Sequence, residues 1–199
     1  MITLYHSPMT RSSSILWLLE ELGVRYETNI VTFRKFDGTG ARDPANPHPH
    51  GKVPALEDGD ELVFESSAIA LYLTDKYRAK PMGPAVGDSK RGEYLSWLAY
   101  RAGVMEPALL CRRFEIKHVY GAMGWAPAEE VEDVLNAHLA NRTYFLGEDF
   151  SALDVLIGGG LNFMMMAKMI AETPALKAYT ARITDRAAFR KMMAESAPR

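Results

Sequence analysis

Up to Tyr77 the sequence alternates strand-like and helix-like runs, and beyond Asp88 it offers helix alone. This change of texture is the tightest constraint on the fold, because alternating runs build a sheet covered by helices and a helical run builds a bundle. Ile2 to Tyr5 is short, apolar and partly β-branched. Ile15, Leu16, Leu18, Leu19 and Leu22 place one apolar stripe on a helix, which Gly23 ends as a residue able to turn left-handed. Tyr26 to Val31 is a second strand, so the opening is a β-α-β unit. A loop rich in Gly, Pro, Asp and His runs from Arg34 to Lys52. Val53–Glu57 and Leu62–Phe64 then flank Asp58-Gly59-Asp60, a hairpin signal, and a helix from Ser66 to about Tyr77 closes the half.

Two prolines and two glycines between Ala79 and Gly87 mark a linker. The expected domains are therefore residues 1–80, a linker over 81–87, and an all-helical domain over 88–199. Asp88 to Lys117 reads as one long helix, bent where Pro107 removes a backbone donor. Pro127 with Glu129 and Glu130, and later Thr173-Pro174, mark helix starts. Phe150-Ser151-Ala152-Leu153-Asp154-Val155 predicts a cap in which Asp154 returns a bond to the Ser151 backbone, with Phe150 and Val155 as the apolar staple.

Composition removes several function classes. The 199 residues are 48% hydrophobic and 24% charged, with a formal charge of −2. These values are globular rather than disordered, and no basic block suggests a nucleic-acid partner. Cys111 is the single cysteine, which excludes an internal disulfide, a dithiol centre and a cysteine-rich zinc site. No secretory signal opens the chain, and Val155 to Ala167 is too short to span a bilayer. The expectation is a cytoplasmic protein without membrane, nucleic-acid or metal partners. Gly158-Gly159-Gly160 follows no strand, so it reads as close helix packing rather than a phosphate loop.

Several motifs in order resemble the cytosolic glutathione transferase family. They are Leu4-Tyr5-His6-Ser7-Pro8 running into a helix, Gly51-Lys52-Val53-Pro54-Ala55-Leu56, Glu65-Ser66-Ser67-Ala68-Ile69, and Phe145-Leu146-Gly147 leading into the Ser151–Asp154 box. Pro174-Ala175-Leu176, Tyr179, Arg182 and Arg186-Ala187-Ala188-Phe189 carry the likeness almost to the end. The resemblance implies an α/β domain of thioredoxin-like fold followed by an all-α domain, and glutathione as co-substrate.

It also implies roles for single residues. Val53-Pro54 stands where the family holds a cis peptide, which would turn the Val53 backbone toward the glutathione backbone like an added strand. Glu65 and Ser66, where a strand passes into a helix, would take the γ-glutamyl ammonium and carboxylate. Lys52, with His50 beside it, would pair with the glycyl carboxylate. A free thiol has a pKa of about 8.5, so its anion needs a donor. Thr10 and Ser12 stand before Tyr5 as the hydroxyl that would supply one. The family's cysteine-using classes place a thiol where this chain has Arg11 and serines, and Ser14 replaces an arginine common among relatives.

The implied activity is glutathione conjugation to small hydrophobic electrophiles, a detoxification chemistry, in a homodimer. The electrophile pocket is expected between the domains, along Trp97, Tyr100, Met105 and Phe114, residues whose helical spacing equally suits a core. Two alternatives stay open: disulfide or peroxide reduction using bound glutathione alone, and a non-catalytic glutathione-binding or protein-interaction module.

Overall fold

The computed structural model describes residues 1–196, which form two compact units: Met1–Pro81 together with the chain from Arg186 on, and Met82–Asp185. The first break falls inside the expected linker. The second was not expected: the last helix leaves the all-helical domain predicted over 88–199 and joins the first unit.

In the first unit, strands β1 (Ile2–His6), β2 (Tyr26–Ile30), β3 (Ala55–Asp58) and β4 (Glu61–Phe64) form one sheet in the order β2-β1-β3-β4. β1 runs parallel to β2, with Ile2 opposite Tyr26, and antiparallel to β3, with Tyr5 opposite Ala55. The β3–β4 hairpin turns through Gly59, whose φ of 65° suits a residue without a Cβ. Helix α1 (Ser12–Leu22) joins β1 to β2 and ends at Gly23 with φ 67°, and helix α2 (Ser66–Lys76) follows β4. This mixed sheet with its β-α-β opening is thioredoxin-like, and the elements that follow it among the described residues are helices.

Helix α1 departs from the single-stripe expectation. Trp17, off the stripe, is as fully buried as Ile15 and Leu18. Its second face is covered by helix α8 (Ala187–Glu195), where Phe189 meets the Trp17 ring edge-on at 5.0 Å. Glu21 accepts from Trp17 Nε1 at 2.9 Å and from Arg186 Nε and an Arg186 terminal nitrogen at 2.6 and 2.8 Å. Lys191 adds an ion pair to Glu20 at 2.7 Å.

The second unit holds helices α3 (Arg91–Tyr100), α4 (Glu106–Arg113), α5 (Ala128–Leu139), α6 (Gly159–Met166) and α7 (Pro174–Thr184). The long predicted helix is α3 and α4 joined by a π turn at Arg101–Met105, just ahead of Pro107, and it stops at Arg113 rather than Lys117. A wider turn there accommodates the proline's missing donor. The capping box forms as expected: Ser151 N–H donates to Asp154 Oδ2 at 2.8 Å. Asp154 also accepts from Phe145 N–H at 2.9 Å and from the Tyr179 hydroxyl at 2.8 Å. A Cβ on Gly158 would lie 2.3 Å from Ile183 Cδ1, so close packing holds at Gly158, whereas a Cβ on Gly160 would make only an ordinary contact, 3.7 Å from Met105. No helix among the described residues is long and apolar enough to cross a membrane.

Candidate functional site

The strand register brings the predicted site segments to one end of the first unit's sheet. β1 leaves the sheet at His6, β3 enters it at Ala55 opposite Tyr5, and β4 leaves it at Phe64 opposite Ala55. The loop from Ser7 to Arg11, the segment before Ala55 and the start of α2 therefore share that edge.

The segment before β3 is held by its own loop. The Val53–Pro54 peptide is cis. Val53 precedes the paired register, and its N–H and C=O take no partner among the turn, loop and cap bonds of the described residues. Asn46, buried, fixes the approach: its side-chain amide donates to Lys52 C=O at 3.0 Å while its Oδ1 accepts from His48 N–H at 3.0 Å. Gly51 has φ 59°, and a Cβ there would stand 2.5 Å from Arg42 Cγ, so both backbone and space require glycine. Lys52 and His50 are exposed, and neither side chain has an ion-pair partner among the described residues.

At the start of α2, Glu65 adopts φ 69°, ψ 125°, a conformation that costs a residue with a Cβ about 1–3 kcal/mol. Ser66 is 4% exposed, and its hydroxyl has no hydrogen-bond partner among the described residues. The free amides of a helix start surround that hydroxyl with positive potential.

The structure also brings His48 to this edge. His48 is buried against Phe64, with ring centroids 5.4 Å apart. Its Nδ1 accepts from His50 N–H at 3.0 Å, so the ring proton sits on Nε2, 3.9 Å from Glu65 Oε1. Burial holds the His48 pKa below its ordinary value. A histidine between prolines carries no periodicity that would announce this burial.

The three hydroxyl candidates are treated very differently. Tyr5 packs with Val31, Val53 and Ala55 and donates to Glu57 Oε2 at 2.9 Å. Burial first, and then that bond, raise its pKa. Glu57 lies opposite Thr3, so the Tyr5 hydroxyl is turned toward the far end of the sheet. Ser12 is 0% exposed, and its Oγ lies 2.7 Å from His6 Nδ1, 2.7 Å from Thr10 Oγ1, and 3.1 Å from both Ser7 N and Ser7 O. The Ser12 hydroxyl is thus enclosed by His6, Thr10 and Ser7. Thr10 is partly exposed, and its hydroxyl donates to Ser7 C=O at 2.7 Å. Behind them His6 is 2% exposed, its Nε2 buried without a partner among the described residues, and burial lowers its pKa to about 4.

In the second unit Met105 is core, Trp97 meets His138 and Phe145 at centroid distances of 4.4 and 5.2 Å, and Phe114 is exposed beyond α4. Cys111 is partly buried, beside a cavity of about 160 Å³ walled wholly by second-unit residues such as His118 and Trp125. Among the described residues no group of three or more His, Cys, Asp or Glu side chains is arranged to hold a metal.

Residues 1–75 match the family model described as the glutathione S-transferase N-terminal domain. The chain is 30% identical to glutathione S-transferase F9 of Arabidopsis thaliana, over 89% of each sequence. It superimposes with a TM-score of 0.76 on a sphingomonad glutathione S-transferase complexed with glutathione, at 26% identity and over 98% of each chain. It is also 28% identical to elongation factor 1-gamma 1 of Oryza sativa subsp. japonica, over 74% of this chain and 38% of that protein.

Proposed function

Because the chain belongs to the cytosolic glutathione transferase family, we propose that it binds glutathione and transfers the thiolate to a small apolar electrophile. The observation that carries this reading is the Ser66 hydroxyl, without a partner among the described residues at the start of an eleven-residue helix, beside a carboxylate held at positive φ. Such a pair suits a ligand presenting a carboxylate and an ammonium on one carbon, as the γ-glutamyl group does. Ser66 and the α2 amides take the carboxylate. Glu65, faced by His48, takes the ammonium. Val53 offers its free backbone pair to the peptide, and Lys52 with His50 offers positive charge and a donor to the glycyl carboxylate.

Thr10 is the hydroxyl we assign to the thiol. When the thiolate binds, the Thr10 side chain turns so that its hydroxyl leaves Ser7 C=O and donates to the sulfur. Together with the start of α1, this donor favours the anion; a drop of two pKa units takes about 2.7 kcal/mol, within reach of one charge-assisted bond and a helix terminus. The thiol proton passes to solvent. The sulfur then forms a bond to the electrophilic carbon while the leaving group departs with its electron pair. Kinship with the family supports a cytoplasmic homodimer with a detoxifying role, and sedimentation of the purified chain tests the oligomer.

The elongation-factor relative favours a second reading, in which glutathione or a protein binds without thiol activation. One titration separates the two: glutathione added to saturation, with thiolate absorbance followed across pH. The transferase reading expects saturable binding and a bound thiol well below its free pKa of about 8.5. Binding without that shift selects the second reading, and no binding overturns both.

A further inference from the structure

Three short contacts run in a line beside the end of β1: His6 Nδ1 to Ser12 Oγ, Ser12 Oγ to Thr10 Oγ1, and Thr10 Oγ1 to Ser7 C=O, each 2.7 Å. Polar atoms this close need a proton between them. Two hydroxyls supply two protons for these three contacts; Ser12 Oγ also lies 3.1 Å from Ser7 C=O, a longer separation that two oxygens hold without a proton between them. The Ser7 N–H cannot fill the gap, because it already donates to Ser12 Oγ from the backbone at 3.1 Å. The third proton must come from His6 Nδ1. With Nδ1 bare, either the Thr10–Ser7 contact or the Thr10–Ser12 contact is left as two oxygens with nothing between them.

The far side of the ring gives the same answer independently. His6 Nε2 is buried with no partner among the described residues. A buried N–H without an acceptor is rarer and costlier than a bare lone pair. The ring therefore keeps Nε2 unprotonated and places its proton on Nδ1.

The direction of the line follows. With the proton on Nδ1, His6 donates to Ser12, Ser12 to Thr10, and Thr10 outward. With the proton on Nε2 the line reverses: Thr10 donates inward to Ser12, and its proton is spent inside the protein. We propose that His6 is a positioning residue which, as the Nδ1–H tautomer, orders the Ser12 and Thr10 hydroxyls so that Thr10 offers its proton to a bound thiolate; this rests on the assignment of Thr10 above. His6 is not the base that takes the thiol proton. A ring that protonates only near pH 4 is too weak to hold it at neutral pH.

Two measurements test the inference. Long-range proton–nitrogen correlation of the 15N-labelled protein at pH 7, with the His6 signal assigned by its loss in His6→Asn, reads the tautomer directly. The expected pattern has the proton on Nδ1; a proton on Nε2, or averaging between the two, overturns it. Next, bound glutathione is titrated by thiolate absorbance in His6→Asn, whose amide retains a donor near Nδ1, and in His6→Leu, which has none. His6→Leu is expected to raise the bound thiol pKa by about one unit, roughly tenfold less thiolate below it, with the glutathione Kd within about twofold. His6→Asn should stay close to the parent. A His6→Leu titration like the parent's, or equal shifts in both variants, overturns the positioning role. Thr10→Val separates this failure from that of the underlying reading. If Thr10→Val leaves the thiol pKa unmoved, hydroxyl activation by Thr10 is wrong; if it raises the pKa and His6→Leu does not, only the role of His6 falls. Should His6→Leu not fold, the tautomer spectrum of the parent protein decides alone.

Discussion

Among Tyr5, Thr10 and Ser12, residue type says little and exposure says most. All three carry a hydroxyl and lie within eight positions, yet one donates to a carboxylate, one is enclosed, and one is partly open. Tyr5→Phe is therefore expected to leave the bound thiol pKa unchanged while lowering stability by about 1 kcal/mol, the worth of one partly buried hydrogen bond. Thiolate absorbance and urea denaturation read the two effects separately, and a raised thiol pKa in Tyr5→Phe would return Tyr5 to the site. Thr10 and Ser12 were legible in the sequence as candidates near a helix start. Their ranking was not, because enclosure by His6 and Ser7 arises only when the loop folds back on β1.

Helix starts carry both the site and the stability of this chain. Glu65 heads α2 at φ 69°, a conformation that glycine adopts without penalty. Glu65→Gly should raise stability by about 1 kcal/mol and weaken glutathione binding about tenfold or more by removing the acceptor for its ammonium. Calorimetric Kd and denaturation midpoint moving in the same favourable direction would refute the role given to Glu65. The Ser151–Asp154 box is a structural counterpart. Asp154 is 0% exposed and accepts from Ser151, Phe145 and Tyr179. Asp154→Ala strands several buried donors and should destabilise the second unit by about 3–5 kcal/mol, as loss of a buried charged partner does. Urea denaturation followed by Trp fluorescence measures it, and a loss under about 1 kcal/mol would show that solvent replaces the carboxylate.

Over the whole molecule, buried neutral histidines set the response to acid. Burial lowers the His6 pKa from 6.5 to about 4 and holds His48 and His138 below their ordinary values. The unfolded chain then binds protons that the folded chain refuses, so stability is full above pH 6.5 and falls as pH drops toward 4. For His6 alone the loss at pH 5 is about 2 kcal/mol. Denaturation at pH 7.5 and 5.0 should show this loss in the parent and a smaller one in His6→Asn; equal losses in both would place the acid sensitivity elsewhere. The last described helix also belongs to the unit that holds β1. α8 closes the open face of α1 through Phe189, Arg186 and Lys191, so the first unit is not finished until the last helix is made.

The sequence by itself determined the elements and their order. Local signals such as the apolar spacing of α1, Gly23 at its end, the Gly59 turn, Thr173-Pro174 and the Ser151–Asp154 box act within a few residues, and each appears where expected. It also marked Val53-Pro54, Glu65 and Ser66, whose setting at strand and helix ends is local too. Only the tertiary structure decided that Trp17 lies under α8, that His48 faces Glu65, that Tyr5 turns toward Glu57, and that His6 stands behind Ser12 with one nitrogen unpartnered. Those outcomes depend on which residues meet across strands and loops far apart in the chain, and burial, with the proton placements it forces, exists only once they have met.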